Sequence, residues 1–138
     1  MTAKLSGFQE QVAPLVAELF ASASAHDTDR HLALYAQDSA LLFIISGEVI
    51  QGWDAYRERQ RQWWDDGKAV GVYEAIGEPI YEALGDDSGL TTFFMAGRRQ
   101  LADGQTHERR MAFTALWRKQ PEGWRITYVH ESSSAAVT

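Results

Sequence analysis

Two residues near the C-terminal end, Tyr128 and His130, have side chains that could move a proton on a small molecule. They lie in the stretch Gly123-Trp124-Arg125-Ile126-Thr127-Tyr128-Val129-His130-Glu131-Ser132-Ser133. A strand alternates its side chains with a period of two. Trp124, Ile126, Tyr128, His130 and Ser132 therefore share one expected face, and Arg125, Thr127, Val129 and Glu131 share the other. The first face grades from apolar to polar, as the wall of a greasy cavity with few polar groups would. His130 titrates in a range suited to proton transfer. The Tyr128 hydroxyl can donate to a ligand carbonyl, as oxyanion holes do. Each also has a plainer reading. No Asp or Glu is clearly placed to orient His130, which then serves structure at a cavity rim. Tyr128 then satisfies its hydroxyl through backbone or water.

Other residues fit around this pair. Met111, Phe113 and Trp117 alternate with Ala115 along the preceding strand, with Phe43 and Ile45 expected opposite. They form either the wall of an apolar pocket or simply core. Trp53 and Tyr56 open a helix and are expected at the pocket's mouth. Trp63 and Trp64 are adjacent, so they point in different directions, one inward and one toward an interface. Arg98, Arg99, Arg109 and Arg110 sit on two strands joined by a short turn, near Asp103 and Glu108. A solvated edge or dimer contact is the plain reading, and an anion site the sharper one. His26, His31 and His107 lack the spacing of metal ligands, so no metal is expected. Gly85 and Gly89 flank acidic residues that would repel a phosphate, and nothing indicates a cofactor.

Composition narrows the partners. A chain of 138 residues with 45% hydrophobic and 23% charged residues is expected to fold as one domain, residues 1–138, with a real core. The net charge of −6 argues against nucleic acid and against an anionic membrane surface, both of which need Lys and Arg in excess. There are no cysteines, which excludes disulfides, thiolate catalysis and Cys-based zinc sites. The opening Met1-Thr2-Ala3-Lys4 runs into no long apolar stretch. No leader and no membrane span are expected, and a cytoplasmic location is the default. The five Trp, five Tyr and six Phe fill a core and an interface or line an aromatic cavity.

The elements that must position these residues change character along the chain. Phe8, Val12, Leu15, Val16, Leu19 and Phe20 recur at helical spacing over 8–25, with Pro14 marking a start or a bend. Asp27 is a good N-cap for a second helix carrying Leu32, Leu34 and Tyr35. Residues 40–45 read as a buried strand ended by Ser46-Gly47, and a third helix runs from Trp53 to Asp66, closed by Gly67. Strands follow at about 69–83, 89–102, 106–119 and 123–132, separated by Gly- and Asp-rich turns. Helices first and strands afterwards imply an α+β fold, and the tail from Ser134 to Thr138 is expected to fray.

Three segments carry a resemblance. They are Asp27 to Asp38, especially Leu32-Ala33-Leu34-Tyr35-Ala36-Gln37-Asp38; Gly52 with its following helix; and Trp117-Arg118 with Gly123-Trp124-Arg125-Ile126 and His130-Glu131-Ser132-Ser133. Together they resemble the NTF2-like superfamily, and within it SnoaL-like proteins of the DUF4440 type. The resemblance implies a cone: three N-terminal helices packed on a strongly curved, mixed but mostly antiparallel sheet, with a cavity between them. It also implies a homodimer, often formed through the outer sheet face.

The superfamily includes ketosteroid isomerases, cyclases, dehydratases and the association domain of calmodulin-dependent kinase II, so fold alone does not choose a function. The isomerase base would fall near Phe43, its oxyanion Tyr near Leu19 and its oxyanion acid near Phe113. All three positions are apolar, so authentic isomerase chemistry is not expected. The association domain is similar in the Gly-aromatic opening of the third helix and in the final Trp-to-Ser strand. Its strand His corresponds to Tyr128 and its cavity Arg to Ala115, which does not support an anionic ligand held there. A dimer is expected rather than a large ring. Two functions remain open: an isomerase, cyclase or dehydratase acting on a small hydrophobic carbonyl compound, and a non-catalytic ligand-binding or dimerisation module.

Overall fold

The computed structural model describes residues 3–69, 71–100 and 103–134. Residue 70 of the expected strand 69–83, residues 101 and 102 at the end of the expected strand 89–102, and 135–138 of the expected tail lie outside the described residues. Helix α1 runs Ala3–Ser24, α2 Thr28–Leu32 and α3 Trp53–Trp63. The strands are β1 Leu42–Ile45, β2 Glu48–Gln51, β3 Gly71–Gly85, β4 Ser88–Gln100, β5 Thr106–Gln120 and β6 Gly123–Ser133. The six form one curved sheet in the order β2-β1-β6-β5-β4-β3. Among the described strands only β1 and β6 pair in parallel, so the sheet is mixed and mostly antiparallel. This is the α+β arrangement expected, with three helices against one face. Among the described residues no helix is long and apolar enough to cross a membrane.

Local chemistry explains most boundaries. Asp27 caps α2 by accepting from the Arg30 amide. Pro14 lies inside α1 rather than starting it. It is exposed, while Phe8, Val12, Val16 and Leu19 are buried along one stripe, so packing of that stripe outweighs the lost backbone bond. Helix α3 stops at Trp63, short of Asp66, where Asp65 and Asp66 adopt positive φ. The strand β2 was not anticipated. Ser46-Gly47, expected only to end β1, is a two-residue hairpin turn with φ of 47° and 87°. Positive φ at both central residues matches the twist of the strands it joins.

The register of β6 corrects the expected faces. Leu116 pairs with Tyr128 and Trp117 with Ile126, so Thr127 is an extra residue, a β-bulge. Before it, Trp124 and Ile126 are buried; after it, Val129 and Glu131 are buried, and His130 is exposed. The bulge falls where β6 changes neighbour. Its first half bonds residues 34–36 through Ile126, and its second half pairs with β1 from Tyr128 onward.

Helix α1 closes the sheet's far side through a tight fit. Phe8 packs edge-on to Trp124 at 5.4 Å between ring centres. A Cβ on Gly89 would stand 2.5 Å from the Phe8 ring. Gly89→Ala should therefore cost about 1–3 kcal/mol, the usual penalty for overpacking a core. Urea unfolding of the two proteins measures this, and unchanged stability would show that Phe8 has room to move.

Candidate functional site

A cavity of about 270 Å³ opens between the helices and the inner sheet face. Its closed end is aromatic. Phe43 stacks on Tyr56 at 4.6 Å, and Tyr35 lies 4.7 Å from Tyr56. One wall is the stacked pair Phe93 and Phe113, 4.8 Å apart, with Phe20 at 4.8 Å from Phe93. Arg98, Arg99, Arg109 and His107, all exposed, line the mouth. The strand alternation explains this gradient. Phe93, Met95, Gly97 and Arg99 follow one another on the inner face of β4, and Phe113, Met111, Arg109 and His107 follow their cross-strand order on β5.

The expected residues divide. Phe43, Ile45, Tyr56, Met111 and Phe113 line this cavity. Trp117 is fully buried behind the wall, its indole N–H donating to Thr91 Oγ1 at 2.9 Å. Trp53 packs against the core without lining the cavity. Tyr128 and His130 do not line it either, because the Thr127 bulge turns them to the outer face, opposite Leu116 and Thr114. Trp63 and Trp64 both line the cavity, although only one was expected inside; Trp64 Nε1 donates to the Tyr73 hydroxyl at 3.1 Å. The four arginines also divide: Arg98, Arg99 and Arg109 reach the mouth and Arg110 does not.

The bulge brings Glu131 inward instead. It sits beside Phe113 on β5 and Ile45 on β1, 8% exposed. Among the described residues no hydrogen bond or ion pair holds its carboxyl. Burial pushes its pKa up to about 7, while nearby Arg109 draws it back down. A polar chain lines the closed end. Ser22 Oγ donates to the Leu19 carbonyl at 3.1 Å and lies 3.0 Å from His31 Nδ1. His31 Nε2 lies 3.5 Å from the Tyr35 hydroxyl, and the Tyr56 hydroxyl donates to Gln60 Oε1 at 2.9 Å. Burial holds the His31 pKa down to about 4 and raises those of Tyr35 and Tyr56. All three rings are thus neutral near pH 7.

Sequence reasoning missed Glu131, His31, Gln60 and Tyr35. One signal for Glu131 was present: apolar Ile126 and Val129 are three apart, so burying both requires an extra residue between them. Ser22 and His31 lie among Leu19, Ala23 and Leu32 on buried faces, where a polar residue needs a partner.

Glu131 and His31 impose opposite pH slopes on stability. Glu131 is protonated in both states below the ordinary 4.5; above about 7 it is ionised in both, and the folded state bears the cost of a buried charge. Its contribution therefore falls as pH rises through that window. His31, lowered from 6.5 to about 4, contributes stability above 6.5 that is lost as pH falls through 4. Glu131→Gln removes the first slope. Relative to the parent, the variant should gain roughly 2–3 kcal/mol of stability between about pH 5 and pH 8. Urea unfolding at both values reads this, and parallel pH profiles would refute the raised pKa.

No curated protein is significantly similar to the chain. Solved structures share its fold at low identity. A nuclear transport factor 2 (NTF2-like) superfamily protein from Salmonella enterica has a TM-score of 0.80 at 20% identity, covering 96% of this chain and 95% of that one. A ketosteroid isomerase-like protein from Erwinia carotovora atroseptica gives 0.74 at 15%, covering 98% and 99%. The association domain of C. elegans CaMKII gives 0.72 at 18%, covering 96% and 99%. At these identities the structural likeness shows the fold alone, and that fold is NTF2-like. At the family level, the calcium/calmodulin dependent protein kinase II association domain matches residues 9–135, whereas the sequence motifs had suggested the SnoaL-like branch. With nearly the whole length matched, the chain belongs to the calcium/calmodulin dependent protein kinase II association domain family, within the NTF2-like fold.

Proposed function

We propose that the chain binds a small hydrophobic molecule in its cavity and moves a proton on it, as isomerases, cyclases and dehydratases of carbonyl compounds do. Glu131 is the proton-transfer group, the role sequence reasoning assigned to its neighbour His130. Phe43, Ile45, Tyr56, Met111 and Phe113 grip the apolar body of the ligand. The observation that carries this reading is a buried carboxyl on the wall of an aromatic cavity, without a hydrogen-bond or ion-pair partner among the described residues, its pKa raised by burial to about 7. A group that titrates near the working pH is the most effective general acid or base, and perturbed groups in clefts concentrate at functional sites.

The test begins with thermal unfolding against steroid-like, polyketide-like and aromatic carbonyl compounds. A ligand of the folded state raises the midpoint further as its concentration increases. Compounds that bind are then assayed for turnover. Glu131→Gln should keep the thermal shift and lose about 10²–10⁴-fold in rate. Undiminished turnover in that variant would remove Glu131 from the reaction. Binding without conversion of any bound compound would leave a non-catalytic binding module.

The outer sheet face favours a second, compatible role in self-association. Ile76, Ile80 and Phe94 are 36%, 58% and 44% exposed there. Across the same face Thr92 pairs with Thr114, Thr114 with His130, and His130 with Ile44. An apolar face of this kind is the usual basis of a homodimer, and the fold's oligomer-forming family fits it. Phe94→Glu should convert a dimer into monomers in sedimentation velocity without loss of the cavity's ligand. A wild-type chain that sediments as a monomer would exclude this role.

A further inference from the structure

The direction of the hydrogen bonds at the cavity's closed end can be read from the groups behind them. Ser22 has one hydroxyl proton, and it goes to the Leu19 carbonyl at 3.1 Å. His31 Nδ1 lies 3.0 Å from that Ser22 oxygen. A carbonyl only accepts, and the Ser22 proton is already committed. The Nδ1 atom must therefore carry a hydrogen. Burial keeps the ring neutral, which leaves Nε2 bare. The Tyr35 hydroxyl, 3.5 Å away, then donates to Nε2 and keeps its lone pairs to accept with. Tyr56 is committed in the same sense, because its proton goes to Gln60 Oε1. Both phenols, which line the cavity, thus have lone pairs to offer and no proton to spare, which is the reverse of an oxyanion hole.

We propose that the closed end of the cavity is an acceptor site, in which the Tyr35 and Tyr56 oxygens hold the hydroxyl or amine end of an otherwise hydrophobic ligand. His31 acts as a positioning residue, through Tyr35. The inference rests on the cavity being a ligand site and adds the substrate class: a donor-bearing molecule. A bare carbonyl at this end would set lone pair against lone pair and leave buried groups unpaired, which is costly. A carbonyl ligand must turn that group elsewhere.

The test uses β-naphthol, its methyl ether and naphthalene, which fit the cavity and differ in the donor. Titration should give β-naphthol about tenfold tighter binding than the ether, the worth of roughly one hydrogen bond. Tyr35→Phe should abolish most of that preference while retaining the affinity for naphthalene. This variant keeps the ring and so avoids the risk that a His31 substitution fails to fold. The ring-nitrogen chemical shifts of His31 supply a readout that mere packing would not move. They should report a protonated Nδ1 and a bare Nε2, and the opposite tautomer overturns the proposal. Equal binding of β-naphthol and its ether also overturns it while leaving the cavity intact as a binding site. If none of the three compounds binds, the reading of the cavity as a hydrophobic ligand site fails first, and this inference with it.

Discussion

Strand β6 must serve two neighbours along one edge, and the site follows from how it does so. Its first half bonds the segment Leu34–Ala36, and its second half pairs in parallel with β1. Thr127 is the residue between them, unpaired in the ladder with β5 and donating its hydroxyl to the Leu116 carbonyl at 3.4 Å. A single inserted residue inverts the facing of everything after it. Ile126 and Val129, both fully buried, enter the core together only because of it. Glu131 comes inward in the same step and His130 goes out. Without the bulge the cavity wall would carry an imidazole, and the carboxyl would face solvent or a partner.

That placement has an energetic cost, borne by the folded state. A carboxyl in apolar surroundings resists ionisation, and among the described residues nothing bonds that of Glu131. His31 is the opposite case: it is buried neutral and fully used, with one ring nitrogen toward Ser22 and the other toward Tyr35. Satisfied polar groups rigidify a wall, whereas the Glu131 carboxyl has no partner among the described residues to fix it. The contrast separates the two groups by role more firmly than their residue types do.

Much of the fold was legible because it rests on periodicity. The stripe Phe8-Val12-Val16-Leu19 gave α1, Asp27 gave the start of α2, and the Gly- and Asp-rich turns gave four long strands. The short strand β2 was not legible, since Ser46-Gly47 reads equally as an end or as a hairpin, and only Ile50 of the four residues is buried. For the site, the apolar wall was legible: Phe43, Ile45, Met111 and Phe113 follow from alternation alone. The polar residues were not. Alternation holds only while register holds, so one bulge turned Tyr128 and His130 outward and Glu131 inward. The partners of His31 depend on how α1 and α2 pack, and Ser22 and His31 are nine residues apart with nothing in their spacing to join them.

The gradient along the cavity ties these features together. At the closed end the fixed lone pairs of Tyr35 and Tyr56 carry no charge. At the mouth, Arg99 and Arg109 supply positive potential on a chain whose net charge is −6. Glu131 lies between, subject to both surroundings. Burial alone would keep it neutral and able only to donate; Arg109 alone would keep it ionised and able only to accept. The two effects oppose each other and bring its pKa to about 7, so that both forms are present near neutrality. A proton can then leave or arrive there without a second titrating partner, and burial of the carboxyl, more than the mouth arginine, sets its pKa.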